Sequence, residues 1–353
     1  MSSSTELSRV DRWLLIAALI VIIIICLKMI SFIVTLVLMS FILTLLTLPA
    51  VTWLKERGLS HLHATLIIAL AGILILLGFV FFTLLSFNSL MASLPQYQTE
   101  LNTRIDDINS LLTSYGISVS SDGPPSVKLG DIMQYGYTSV MSVLEAVEFL
   151  FFVGVLTFFL LLDAPNISSR MEKQFGRDPE TLRQMNLLTG YVMDFIVVRT
   201  ETNFIHGVLF GGFLGLIGVH GAILWGVLTF LLGYIPFIGL VIAAIPALLF
   251  AWLQYGLPGA LAVIVAVGIL NLIVENPIYS FLAARKFEMP ALVVILSVIF
   301  WGWLLGLVGM LFSIPFTLLL LLVFEAVGEL RWINVAFGVS HLFEEPSREK
   351  NGT

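Results

Sequence analysis

Asn271, Glu275, Asn276 and Pro277 gather two amides, a carboxylate and a helix-breaking ring at the end of a long apolar stretch. Asn271 and Glu275, at i and i+4, would share one helix face. A carboxylate bordering such a stretch is costly unless it meets an aqueous path, a partner or the membrane interface. It would suit proton coupling or the binding of a hydroxyl-bearing solute; as an interfacial anchor it would do neither. Glu275→Gln is expected to fold and insert normally, since size and hydrogen-bonding capacity are kept.

A second group is Tyr234-Ile235-Pro236-Phe237-Ile238-Gly239, with another Ile-Pro at Ile245-Pro246. Proline removes an amide donor and clashes with the carbonyl four residues back, while glycine permits a turn. Carbonyls freed in hydrocarbon must be met by protein or by a water-lined cavity. Broken helices near mid-membrane are where transporters place substrate; the same residues would also make a simple kink. Ser313-Ile314-Pro315 could supply a third break, facing the first. The candidate solute- or ion-binding residues are therefore Tyr234, Pro236, Gly239, Asn271, Glu275, Asn276, Pro277, Ser313 and Pro315.

Other chemistry finds little support. The sequence contains no G-x-x-x-x-G-K-[ST] loop, so ATP is not the energy source within this chain, and neither H-E-x-x-H nor G-x-S-x-G is present. His61-Leu62-His63 alone is a poor metal site and reads as an interfacial loop pair. Cys26 is the one cysteine, so no intramolecular disulfide can form. The 17 basic residues are dispersed, which argues against nucleic acid. No enzymatic activity, cofactor or metal is expected.

The elements that must position these groups are membrane spans. No Asp, Glu, Lys or Arg occurs between Glu201 and Glu275, nor from Met289 to Phe324. As helix at ~1.5 Å per residue the first gap reaches roughly 110 Å, about three crossings of a ~30 Å hydrocarbon core. Composition agrees: 59% hydrophobic, 11% charged and a mean hydropathy of +1.04. Apolar runs cover about 13–27, 30–54, 64–87 and 147–162, the last ending at Asp163-Ala164-Pro165. The run after Arg9 and Arg12 lacks a small-x-small cleavage site and reads as a retained first span. Asp178-Pro179-Glu180 marks a helix start, and Tyr191 to Val198 lies along the membrane surface or begins the next span.

The second half divides into runs of about 204–219, 221–235, 240–254, 257–274 and 291–324, the last long enough to bend or turn back. Counting every run gives about ten crossings and merging the pieces around the prolines about eight; the two counts place Arg285 and Lys286 on opposite sides. Gly207, Gly211 and Gly215 form a ladder suited to close helix packing. Gly212 to Gly218 and Gly302 to Gly309, each ahead of an Ile-Pro-Phe triplet, form a faint internal echo.

Between the third and fourth runs lies a helical insert, 88–146, with an apolar stripe at Leu90, Leu94, Tyr97, Leu101, Ile105, Ile108 and Leu112. It is expected to pack on a second helix, begun near Asp131, as a hairpin. Basic residues cluster at Arg9, Arg12, Lys55 and Arg57 and again from Arg170 to Arg199, while the insert carries Arg104 and Lys128 against Glu100, Asp106, Asp107, Asp122 and Asp131. That asymmetry puts both termini in the cytoplasm and the insert outside. The organisation expected is 1–87 (first spans), 88–146 (insert), 147–202 (fourth span and cytoplasmic connection), 203–328 (broken-helix core) and 329–353 (tail).

Phe300-Trp301-Gly302-Trp303-Leu304-Leu305-Gly306-Leu307-Val308-Gly309-Met310-Leu311-Phe312-Ser313-Ile314-Pro315 resembles the signature of the autoinducer-2 exporter family. Tyr234 to Gly239, Leu94-Pro95-Gln96-Tyr97 and the order of spans are similar too. The resemblance implies an all-α polytopic inner-membrane protein of about eight helices with cytoplasmic termini, an extracytoplasmic helical insert and a homo-oligomeric, pentameric assembly. It implies export of a small polyhydroxylated quorum-sensing signal, some relatives being described as sodium/proton antiporters. One departure stands out: close relatives follow the Asn matching Asn276 with a Glu-Pro-Arg run, where this chain reads Tyr279-Ser280-Phe281. The resemblance then implies another solute, or binding through Glu275. The expected function is a secondary transporter or facilitator exporting a small polar solute. A monovalent cation (sodium)/proton antiporter and a non-transporting membrane scaffold are the alternatives.

Overall fold

Unbranched and β-branched aliphatics propagate as long helices wherever no glycine or proline interrupts them, and the interruptions set the architecture. The computed structural model describes residues 9–115, 129–175, 179–236, 238–275, 277 and 289–342. Among them the regular elements are helical, with no strand. They are α1 (Arg9–Met29), α2 (Ser31–Glu56), α3 (His61–Ser93), α4 (Tyr97–Ser114), α5 (Leu129–Phe175), α6 (Pro179–Leu216), α7 (Ala222–Leu232), α8 (Gly239–Leu270), α9 (Ala291–Leu305), α10 (Leu307–Leu311), α11 (Ser313–Ala326) and α12 (Arg331–Ala336). Four helices are long and apolar enough to cross a membrane, or five if the bent pair Ser313–Glu325 and Gly328–Ala336 is one span; Ala18–Met29, Ala222–Leu232 and Ala291–Leu305 are shorter apolar helices. The protein is an all-α polytopic membrane protein.

Pro165 does not end the fourth run: α5 continues through it to Phe175. A helical proline leaves the carbonyl four residues back without its donor. Here that carbonyl belongs to Leu161, and His61 Nε2 donates to it at 2.9 Å. His61 thus repairs a broken helix bond rather than sitting in a loop pair. Tyr191 to Val198 lie inside continuous α6, where Val192, Phe195 and Ile196 join a core with Ile42, Trp301, Leu304 and Phe316. Pro246 likewise leaves α8 helical, so the second Ile-Pro makes no break.

Glycine produces the sharp reversals. Gly256 (φ 67°, ψ −153°) and Gly306 (φ 71°, ψ −150°) share a conformation that side-chain-bearing residues rarely adopt. Three residues on, a Cβ at Gly259 would overlap the Ala251 carbonyl oxygen, and one at Gly309 that of Trp301. Residues eight apart in a straight helix are separated by about 12 Å, so the chain doubles back at both points. The 291–324 run therefore turns on itself, and the apolar stretch 239–275 is two arms. Lys28 Nζ donates to the carbonyls of Trp303 and, at 3.3 Å, Leu304, meeting carbonyls that the turn at Gly306 leaves open.

α6 and α7 are antiparallel and nearly in backbone contact: a Cβ at Gly207 would stand 2.6 Å from the Gly226 oxygen. Of the glycine ladder, Gly207 and Gly211 form this static seam, while Gly215 merely faces Ala222. α7 then pairs with the 239–255 arm, Trp225 lying over Phe250 at 5.6 Å between ring centroids. With 11 residues α7 is about 16 Å long, half a hydrocarbon core. Hence α7 and the 239–255 arm form a short hairpin packed on α6 on one side, with Ile223, Val241 and Ile245 exposed on the other.

The insert's first turns pack on this hairpin's open end. Leu90 and Tyr97 are buried against Trp225, Phe250 and Leu253, with Leu101 beside them. The Tyr97 hydroxyl lies 2.5 Å from His220 Nδ1, and His220 N–H donates to Gln254 Oε1 at 3.1 Å. The loop 120–125 lies outside the described residues. Burial holds the Tyr97 phenol above its ordinary 10.0; nearby Tyr255 adds to the shift and Gln96 opposes it. A phenol raised in the folded state contributes stability that is fully present below pH 10 and lost as pH rises through the raised value. A phenolate absorbance titration of wild type minus Tyr97→Phe should show one tyrosine ionising above 10.0. A midpoint at or below the ordinary value would mean that α4 is not seated on the core.

Candidate functional site

The hairpin's closed end is built from residues 233–239. α7 stops at Leu232, and α8 begins at Gly239, where a Cβ would overlap the Leu232 carbonyl oxygen. The turn keeps its own backbone satisfied: Ile235 N–H donates to Leu232 O at 2.8 Å and Gly239 N–H to Ile235 O at 3.1 Å. Pro236 is buried in this turn, where its missing N–H costs nothing. Phe237 lies outside the described residues.

Arg199, on α6, holds the turn to the end of α8. Its Nε donates to Gly233 O at 2.9 Å, and its Nη1 lies 3.0 Å from each carboxylate oxygen of Glu275. The Arg199 and Glu275 side chains are 11% and 17% exposed. Charge-assisted bonds of this kind are about twice as strong as neutral ones, and burial leaves them weakly screened. At the next residue, Thr200 Oγ1 donates to Ile196 O at 2.6 Å, so the Tyr234 hydroxyl, 2.6 Å away, donates to Thr200. The Tyr234 ring stacks on Phe312 at 5.9 Å, next to Ser313-Ile314-Pro315. The first and third breaks are therefore neighbours.

Glu275 reaches Arg199 because α8 ends in one turn of π-helix, Asn271–Glu275. That wider turn bonds i to i+5 and displaces the i,i+4 register. Asn271 is exposed while Glu275 is half-buried against Arg199, so only Glu275 joins this cluster. His206 Nε2 donates to Leu270 O, 3.1 Å away, at the carbonyl where the π-turn begins. Pro277 is exposed, and Asn276 lies outside the described residues. Ser313 and Pro315 are buried, the Ser313 hydroxyl without a partner among the described residues. Of the expected residues, the fold brings Tyr234, Pro236, Gly239 and Glu275 together, with Ser313 and Pro315 alongside.

A family model for AI-2E family transporters matches residues 14–329. The chain belongs to this family. The matched segment includes α6, the hairpin, the π-turn and both glycine reversals, hence every residue of the site just described. Among AI-2E relatives, the AI-2 transport protein TqsA of Escherichia coli (strain K12) is 31% identical over 278 residues, covering 78% of this chain and 79% of that protein. A Haemophilus influenzae protein is 29% identical over 331 residues, 89% of this chain and 92% of its own length. YhhT of E. coli K12 is 27% identical over 270 residues, 76% and 77% of the two chains. The chain is a transporter of this family.

Sequence reasoning missed Arg199, Thr200, Asn203 and His206. Arg199 reads naturally as another basic residue of a cytoplasmic connection. The available signal was spacing: Arg199, Asn203 and His206, at i, i+4 and i+7, line one face of α6 where it enters its apolar part. A second signal was that Arg199 and Glu275 stand at opposite ends of the same charge-free gap, where a fold that doubles back can bring them together.

Proposed function

We propose that the protein exports a small polar solute of AI-2 type, and that the Arg199–Glu275 pair is a latch on the hairpin turn. One observation carries this: a single buried guanidinium ties together α6, the turn at Gly233 and the π-turn at Glu275. A hairpin whose first arm is too short to span the hydrocarbon core is free to take a second arrangement, and a latch would set when it does. The solute path would run past Tyr234, Pro236, Gly239, Glu275, Ser313 and Pro315, with Asn271, Asn276 and Pro277 at its cytoplasmic mouth.

The decisive assay is AI-2 uptake into everted inner-membrane vesicles from cells expressing the protein, since uptake there corresponds to export from the cell. Saturable uptake above that of empty-vector vesicles is the expected result. Sodium-driven proton movement without AI-2 uptake would establish the antiporter instead, and no flux of either kind would favour a scaffold.

The same reading places the protein in the inner membrane as a homo-oligomer, a pentamer by family resemblance, with both termini cytoplasmic and the insert outside. In a Cys26→Ala background, single cysteines replacing the exposed Thr113 and Ser169 should differ in labelling by an impermeant maleimide on intact cells. Position 113 should label and position 169 should not. The reverse pattern would invert the topology.

A further inference from the structure

Asn203 is fully buried, and neither its Oδ1 nor its Nδ2 has a hydrogen-bond partner among the described residues. Buried amides are rarely left so, because each lost bond carries the full desolvation cost of the group. Its position is specific. Asn203 is one helical turn from Arg199 and close to one from His206, and it lies against Gly233, where a Cβ would come within 2.5 Å of its Oδ1. Gly233 has ordinary right-handed helical angles (φ −55°, ψ −20°), so its φ does not call for glycine, although a Cβ there would also stand 2.9 Å from the Thr229 carbonyl oxygen. What the missing side chain provides is room beside the amide.

We infer that the Asn203 amide is a solute-binding group, reading the hydroxyl and carbonyl groups of a neutral, hydroxyl-rich solute lodged between α6 and the hairpin turn. The inference rests on the export reading above and names the group that gives it selectivity. A primary amide offers two donors and an acceptor with no charge, matching groups that both give and take hydrogen bonds. The charges nearby are already committed: Arg199 serves Glu275 and the Gly233 carbonyl. A solute anion would have to displace Glu275 from Arg199, and a cation would face that guanidinium. A neutral polyol meets neither obstacle.

The test measures AI-2 uptake kinetics in everted vesicles for the wild type, Asn203→Leu, Asn203→Ala, Gly233→Ala and the Asn203→Ala/Gly233→Ala double variant, with thermal unfolding of each in detergent. Asn203→Leu should raise KM roughly ten- to a hundredfold, the loss of one or two bonds to the solute. Its Tm should stay level or rise, because an unpartnered polar group has been replaced by an apolar one. Gly233→Ala should raise KM by crowding the amide, and should add little once Asn203 is alanine, since the crowded group is gone. Wild-type KM in Asn203→Leu, or a drop in Tm with KM unchanged, would make Asn203 structural and overturn the inference alone. Absence of AI-2 uptake by the wild type would overturn the export reading and this inference with it.

Discussion

Arg199→Met should cost about 3–5 kcal/mol of stability and abolish solute export. The magnitude follows from what is left behind. Arg199 and Glu275 are 11% and 17% exposed, so removing the guanidinium strands a carboxylate that solvent hardly reaches. Glu275→Gln should also destabilise, though less, because the amide still accepts one bond while Arg199 keeps a charge that nothing balances. That differs from the expectation that this substitution would fold normally, which took no account of a partner 76 residues away. The double variant Arg199→Met/Glu275→Met separates the two roles. Replacing a buried pair by apolar residues of similar size is often neutral or stabilising, so it should regain most of the stability while remaining inactive. Unfolding in detergent and vesicle flux are the readouts. Normal flux through the double variant would reduce the pair to a structural clamp.

Gly239→Ala is expected to be still more damaging. Its new methyl would overlap the Leu232 carbonyl, a backbone atom that cannot swing aside, so the turn between α7 and α8 could not close as it does. Gly309→Ala meets the Trp301 carbonyl in the same way. Backbone overlaps of this kind belong with the rare substitutions that cost more than about 4–5 kcal/mol. Both variants should therefore yield little monodisperse protein in detergent. Gly212→Ala and Gly268→Ala serve as controls: both positions are helical with open space around them, and alanine there should stabilise by roughly 0.5–1 kcal/mol. Equal yields from all four would show that the tight approaches at 239 and 309 are not real constraints.

The membrane-spanning character was legible because hydrocarbon tolerates so little: a charge-free run such as 202–274 has few other uses. The reversals were half legible. Gly306 and Gly309 announced a bend, but not that the chain would double back, since that depends on a positive φ and on how closely Trp301 can be approached. Pro165 misled because the residue that makes it tolerable, His61, is more than 100 positions away in sequence. Glu275 was visible as an anomaly, but the π-turn that carries it was not, since a helical wheel assumes one uniform winding. Arg199 was hidden by its ordinariness.

The shortness of α7 bears on how the chain enters the bilayer during synthesis. A segment of 11 residues between Gly221 and Gly233 is too brief to be released sideways into lipid as a span of its own. Its turn would expose Gly233 O to hydrocarbon until Arg199 covers it. The hairpin must therefore wait in the translocation channel until its second arm has been made, or slip in late against an α6 already seated. Either way, α7 should not be released on its own, and protease protection of the 222–255 segment in nascent chains stalled at increasing lengths should appear in a single step once the 239–255 arm has emerged.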